Sequence, residues 1–335
     1  MHTRSQELKC ALDAVAEACS ITRRVQSELD EIRQLTKDDR SPVTVADFAA
    51  QAIVAMRLGD ELGEIALVGE ESAADLRTQQ TGELTSAITA AVQHVRPGVD
   101  NAAVLDAIDR GNHDASADRY WTLDPVDGTK GFLRRGQYAV SLALIENGEV
   151  TLGVLGCTNL SADFTRAFDD PDPQGCIYYA TRGGGSWYLP ATRIDAEPER
   201  IHAAGEVSLD ALRVCESVEA AHSKQDDTVR ILEYLKATSK PARLDSQCKY
   251  AVVGRGQADA YLRLPTRAGY VEKIWDHAAG MLVAEEAGAI VSDITGKRLD
   301  FSRGATLGAN RGVVCTAHGI HAQIIAAIAA LGIAG

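Results

Sequence analysis

Asp124 and Asp127 stand three residues apart in WTLDPVDGTKGF, at the end of an apolar run. Pro125 stiffens the link between them, and Gly128 relieves the backbone just after. Such a turn can aim both carboxylates and the Val126 carbonyl at one point. Two carboxylates at close range repel unless a cation neutralises them. Oxygen-only donors suit a hard ion, Mg2+ first and Mn2+ as a substitute. The string alone is also open to a plainer account, an Asx-type turn with both charges in water.

Other acids extend the pattern. Glu70-Glu71-Ser72 follows the apolar stretch IALVG. Asp276 lies in IWDHAAG, where a helix begins, and could simply face the helix dipole. Asp47 comes three residues after Thr44, near another helix start, where a negative charge is ordinary. Each signal is modest alone.

The elements that must hold these groups read as follows. Leu8, Leu12, Val15, Cys19, Val25, Leu29 and Ile32 recur at helical spacing over 5–36. Ser41-Pro42 signals a turn, and a helix from Thr44 to Gly59 follows. Residues 65–69 read as a short buried strand, and 84–95 and 100–109 as helices. YWTL (120–123) is a strand. YAVSLALIENGEVTLGVLG is a hairpin turning at Asn147-Gly148. FDDPDPQG (168–175) is rich in turn formers. GCIYYATRGGGSWYL is a second strand–turn–strand, and its three glycines lack the Lys-Ser/Thr of a phosphate loop. Strands at 211–217, 258–264 and AIVSDITG, with helices at 224–236, 275–288 and 319–332, complete the chain. The order predicts an α+β domain over 1–160 and an α/β domain over 161–335, with a break near residue 160.

The totals narrow the class. At 335 residues the chain is long for a single small core, and its 45% hydrophobic content can fill a real one. The formal charge of −13 argues against a duplex nucleic-acid binder. Seven cysteines with no C-x-x-C pair read as reduced thiols rather than a zinc site. MHTRSQELKC shows no secretory signal, so a cytoplasmic location is expected. The run IIAAIAALGIAG is too short to span a bilayer and reads as a buried helix.

Taken in order, G-E-E-S, D-P-V-D-G-T and W-D-x-A-A-G resemble the inositol monophosphatase-like superfamily of metal-dependent, lithium-sensitive phosphatases. SPVTVADFAAQ, ESVEAAHS, LDSQCKYAVVGRGQADAYLRLP and YVEKIWDHAAG resemble its 3'(2'),5'-bisphosphate nucleotidase branch. The strings run from about residue 40 to residue 315. One departure is Thr158 in LGCTNL, where a proline is common in the family; it touches none of the proposed ligands.

The resemblance implies a two-domain layered αβαβα sandwich of the inositol monophosphatase/fructose-1,6-bisphosphatase type, with the active site between domains. It implies two or three Mg2+ ions on Glu70, Asp124, the Val126 carbonyl, Asp127 and Asp276, with Glu71 as second choice to Glu70. Asp47, Glu70 and Thr129 would orient and activate the attacking water, and Gly128 and Thr129 would contribute backbone N–H groups to the phosphate. His222, Asp245, Ser246, Lys249 and Arg263 would contact the nucleotide and its other phosphate. Asp276 would serve both metal and substrate. The implied reaction removes the 3'-phosphate of adenosine 3',5'-bisphosphate, or of its sulfated relative, by a monomeric enzyme with no nucleic-acid or membrane partner. The rival expectations are the same chemistry on an inositol phosphate or inositol 1,4-bisphosphate, and a nucleotide sensor with little turnover.

Overall fold

The structure, a computed structural model, describes residues 2–29, 41–78, 82–219, 224–267 and 269–333. In chain order the elements are helices α1 (Arg4–Ser27) and α2 (Ser41–Leu62), strand β1 (Leu67–Gly69), and helices α3 (Ala74–Thr78), α4 (Glu83–Gln93) and α5 (Asn101–Asp109). Strand β2 (Arg119–Asp127), helix α6 (Thr129–Leu133) and strands β3 (Ala139–Glu146), β4 (Glu149–Cys157), β5 (Cys176–Thr181), β6 (Ser186–Pro190), β7 (Glu199–Arg200) and β8 (Val214–Glu216) follow. Last come α7 (Gln225–Tyr234), β9 (Ala242–Arg243), α8 (Cys248–Gly254), β10 (Ala260–Arg263), α9 (Ala278–Glu286), β11 (Ala289–Ser292), β12 (Val313–Ala317) and α10 (His321–Ala330).

These elements stack in five layers, helices alternating with sheets. The first sheet runs β1 to β7 in sequence order, and the second runs β11-β12-β10-β8-β9. Helices α1 and α2 pack on the outer face of the first sheet; α8 and α9 lie between the sheets; α7 and α10 close the far side. The central strands read as continuous apolar runs because both of their faces are covered. In β3, Val140, Leu142 and Leu144 point into the core under α1 and α2, while Ala139, Ala143 and Ile145 point into the core between the sheets. That is the two-residue alternation of a pleated strand, and each fully buried Val or Leu contributes about 2 kcal/mol.

The αβαβα sandwich expected from the sequence is present. The Asn147-Gly148 hairpin is formed, with φ of +51° and +78° at its two turn residues. The triple glycine at 183–185 is a hairpin turn between β5 and β6. Helix α1 opens on a capping box, Thr3 with Gln6, and its described part ends at Ser27; the rest of the 5–36 expectation falls largely outside the described residues. Ser41-Pro42 is the first turn of α2 rather than a separate turn, since a proline's missing N–H costs nothing there. The first sheet extends through Arg200, past residue 160, because β5, β6 and β7 continue it by antiparallel pairing. The sheets part between Arg200 and Val214. Strand β12, unexpected from the sequence, sits at the heart of the second sheet. All seven cysteines are free and buried. Among the described residues no helix is long and apolar enough to cross a membrane.

Candidate active site and metal centre

In a regular strand Asp124 and Asp127, an odd number of residues apart, would point to opposite faces. Strand β2 avoids this with a bulge. Asp124 pairs with Ser141 but Asp127 pairs with Ala139, so three steps on β2 match two on β3. Pro125 has no N–H to give the ladder, which makes the break cheap at that point. The extra residue turns Asp127 back to the side of Asp124. Gly128 then adopts φ +90°, and a Cβ there would stand 2.9 Å from the Ser246 Cβ. Its positive φ and this close approach both require glycine. Helix α6 starts immediately afterwards at Thr129.

The remaining acids arrive from separate elements. Glu70 follows β1, and its N–H donates to the Leu123 carbonyl of β2 at 3.2 Å. Gln51 of α2 holds the next residue, with its amide bonded to the Glu71 carbonyl at 2.6 Å and to the Glu71 N–H at 3.1 Å. Asp276 comes just before α9. Gln247, 2% exposed, fastens these pieces together. Its N–H donates to Asp127 Oδ2 at 2.5 Å, and its amide donates to Ser141 Oγ at 2.8 Å and to the Trp275 carbonyl at 2.9 Å.

The result is one cavity of about 520 Å³. Its lining brings together the acids Glu70, Asp124, Asp127 and Asp276, the residues Val126, Gly128 and Thr129, the cations Lys249 and Arg263, and Asp245 and Ser246. Asp47 is not on the cavity wall. It is buried behind it on α2, and no hydrogen bond joins it to Thr129 among the described residues. His222 lies outside the described residues. The cavity also takes in Lys130, Ser217, Glu219 and Tyr270, which sequence reasoning passed over. Lys130 follows the D-G-T string directly, and Ser217 and Glu219 lie in ESVEAAHS, so adjacency was the available signal.

Electrostatically the acidic wall is unfinished. Burial first, then the charges of Asp276 and Glu71, pushes Glu70 up to about 8, although a hydrogen bond with Asp124 works the other way. Burial and Asp276 push Asp127 up to about 6, against the pull of Lys249. Asp124 is raised well above the carboxylate range by burial and by Glu70, Asp127, Asp276 and Asp47. Asp47 is raised by burial, Glu71 and Glu70. Asp124 Oδ1 is fully buried with no hydrogen-bond partner among the described residues. Buried carboxylates that repel one another and leave a lone pair unsatisfied are the donor set a hard cation would complete.

A second cluster has a different character. Glu272, Asp276 and His277 bring one donor atom each within 4.8 Å of one another. A guanidinium already stands there: Arg263 meets Glu272 Oε2 at 2.7 Å and Asp276 Oδ2 at 3.3 Å. Burial acts to raise Glu272, but the His277 hydrogen bond and the Arg263 charge outweigh it and hold the carboxyl at about 2. Glu272 is thus neutralised and Asp276 shares the same guanidinium at the longer distance, whereas Glu70 and Asp124 enter no ion pair among the described residues.

The basic side of the cavity is built for an anion. Lys249 is 2% exposed, and its Nζ donates to the Leu244 carbonyl at 3.0 Å and lies 5.2 Å from the centre of the Tyr261 ring. Burial lowers its pKa, and Asp127 opposes that shift. An ammonium has three donors, and one protein acceptor leaves capacity for a ligand. Ser246 holds φ +67°, a strained value for a non-glycine residue. At the rim, Arg134 pairs with Asp245 at 2.6 Å and with Glu219 at 2.5 Å, and Lys130 meets Glu219 at 2.8 Å. These pairs tie α6 to the second half of the chain.

The raised carboxylates fix the sign of a pH effect in metal-free protein. Folding raises both pKa values, so the stability linked to them is complete below about pH 4. It is lost as pH climbs through about 6 for Asp127 and about 8 for Glu70. Thermal melts in chelator are therefore expected to show Tm falling between about pH 5 and 8, and a saturating divalent cation to remove that fall. A metal-free Tm that rises across the window would count against the arrangement.

Comparison with known proteins shows the family and the fold. The sequence profile described as the inositol monophosphatase family matches residues 3–332. The chain is 42% identical over 338 residues to the 3'(2'),5'-bisphosphate nucleotidase of Schizosaccharomyces pombe, covering 97% of this chain and 95% of that protein. It is 37% identical over 357 residues to the 3',5'-bisphosphate nucleotidase AHL of Arabidopsis thaliana, covering 96% and 95%. In fold it is similar to the Thermotoga maritima IMPase, with a TM-score of 0.63 at 19% identity, covering 97% and 98%. It is likewise similar to CysQ of Bacteroides thetaiotaomicron, with a TM-score of 0.60 at 18% identity, covering 93% and 97%. The chain belongs to the inositol monophosphatase family.

Proposed function

We propose that the chain is a phosphatase that removes the 3'-phosphate of adenosine 3',5'-bisphosphate, giving AMP and phosphate, with the sulfated nucleotide as a second substrate. The family is metal-dependent, and the full-length relatives at 37–42% identity are named as bisphosphate nucleotidases. The rival reading, an inositol phosphate as substrate, has no such support. The observation that carries the proposal is a single cavity lined both by acids whose pKa values burial and mutual repulsion raise, Glu70, Asp124 and Asp127, and by two cations, the buried Lys249 and the partly buried Arg263. That arrangement suits a molecule with one phosphate at a metal site and another some distance away.

Glu70, Asp124, the Val126 carbonyl, Asp127 and Asp276 would hold Mg2+, with Mn2+ able to replace it. Bound there, the ion supplies Lewis-acid chemistry: it acidifies a water and neutralises phosphoryl oxygens. The chain does the rest. Thr129 would accept a hydrogen bond from the attacking water and pass its own hydroxyl proton toward Asp47. Backbone N–H groups at Gly128 and Thr129 fix the phosphate. Lys249 and Arg263 bind the second phosphate, Ser246 adds its hydroxyl, and Asp245 faces the nucleoside.

A phosphate-release panel in Mg2+ tests the substrate assignment. Adenosine 3',5'-bisphosphate is expected to exceed inositol 1-phosphate and inositol 1,4-bisphosphate by at least about tenfold in kcat/KM, and lithium to suppress the release. Preference for either inositol compound would overturn the assignment.

A further inference from the structure

Arg263 has two carboxylates within reach and one charge to share. Its guanidinium is 2.7 Å from Glu272 Oε2 and 3.3 Å from Asp276 Oδ2. The shorter contact goes to the residue that lies off the cavity wall, and the longer to the residue on it. We infer that Glu272 is a positioning residue: it anchors the Arg263 guanidinium and so leaves Asp276 free to take a divalent cation. The inference rests on the reading of Asp276 as a metal ligand and of Arg263 as a phosphate contact.

Glu272 is placed for that task by contacts on three sides. It is 5% exposed. Its carbonyl accepts from the Leu307 N–H at 2.8 Å, and the next residue, Lys273, bridges to Thr306, so the backbone is pinned to the 305–307 loop. Its carboxylate also accepts from His277 Nε2 at 3.2 Å. With Nε2 donating, His277 Nδ1 is the acceptor, and the Tyr250 hydroxyl donates to it at 2.8 Å. Tyr250, His277 and Glu272 are buried, and the chain they form ends at Arg263 on the cavity lining. His277 directly follows Asp276, so the same network fixes the backbone that carries the proposed ligand.

The physical consequence is a competition. A carboxylate can neutralise an arginine or a metal ion, and a close guanidinium weakens its hold on the ion by direct repulsion. Without the Glu272 charge, the Arg263 fork has Asp276 as its remaining close carboxylate. The arginine would move onto the proposed metal ligand and away from the substrate phosphate. A purely architectural Glu272 would have no such effect that depends on Arg263.

The test is Mn2+ titration calorimetry on metal-free protein, with KM for adenosine 3',5'-bisphosphate measured alongside. Glu272→Gln is expected to weaken Mn2+ binding by about tenfold and to raise KM by about tenfold. The double variant Glu272→Gln/Arg263→Ala is expected to regain the Mn2+ affinity of Arg263→Ala alone, because the competing cation is gone. If Glu272→Gln fails to fold, Arg263→Ala still decides: Mn2+ binding should hold or tighten while KM rises. Mn2+ affinity unchanged in Glu272→Gln, a loss that the second substitution does not restore, or weaker Mn2+ binding in Arg263→Ala would each overturn the inference. Asp276→Asn separates the two levels. If it leaves Mn2+ binding intact, the metal-ligand reading itself fails; if it weakens binding while Glu272→Gln does not, only the role of Glu272 fails.

Discussion

Asp124→Asn is expected to lower turnover on the order of 10³-fold and, at the same time, to raise the Tm of metal-free protein. Both effects come from one carboxylate. Asp124 is 2% exposed, and its Oδ1 has no hydrogen-bond partner among the described residues. Glu70, Asp127, Asp276 and Asp47 all push its pKa upward. Asparagine keeps the shape and removes the charge, so the fold sheds a repulsion while the site loses a cation ligand. Adding Mg2+ should then stabilise wild type and leave the variant nearly unmoved, since ligand stabilisation follows affinity for the folded state. Melts of both proteins in chelator and in Mg2+, beside a phosphate-release assay, check the pair of effects. Near-wild-type turnover, or a lower metal-free Tm in the variant, would count against the site.

Lys249→Met carries the second large effect. It is expected to raise KM for adenosine 3',5'-bisphosphate by about 100-fold, with a much smaller change in kcat. Methionine fills the buried stem position over Tyr261 and removes only the charged tip. The ammonium has one protein acceptor, the Leu244 carbonyl, so its loss leaves little unsatisfied within the protein. It does remove a buried positive charge from the cavity lining. Steady-state kinetics give the split directly. A KM within about threefold of wild type, or a fall confined to kcat, would place the second phosphate elsewhere.

What the sequence made legible follows from local chemistry. The acids stood out because they follow apolar strands, where charge is out of place unless something neutralises it. Asp124, Asp127 and Glu70 could be picked out on that ground, Asp276 only through the W-D-x-A-A-G resemblance, and the structure brings all four to one cavity. The hairpins were legible from turn residues whose φ only glycine or asparagine takes readily. The mechanism of convergence was not. That Asp124 and Asp127 share a side depends on a register shift against β3, which only the partner strand reveals.

The residues that sequence reasoning missed are those whose meaning depends on distant neighbours. Gln247 is an ordinary glutamine until it is seen joining Asp127, Ser141 and Trp275. Glu272 lies in YVEKIWDHAAG as one acid among several, and its hold on Arg263 crosses from loop to strand. Lys130 and Glu219 are far apart in sequence and 2.8 Å apart in space. The extent of the first sheet was not legible for a related reason. The turn-rich 168–175 segment resembles a linker, yet β5 returns beside β4 immediately after it, with Cys176 opposite Cys157.

The central claim is that the acidic wall is a metal site on which the phosphatase reaction depends. Phosphate release from adenosine 3',5'-bisphosphate by chelator-stripped wild-type protein, before and after Mg2+ is restored, tests it most directly. The account predicts release near background in the stripped protein, full recovery with Mg2+, and no recovery in Asp124→Asn. Release that persists without a divalent cation, or that Mg2+ restores equally in Asp124→Asn, would contradict it.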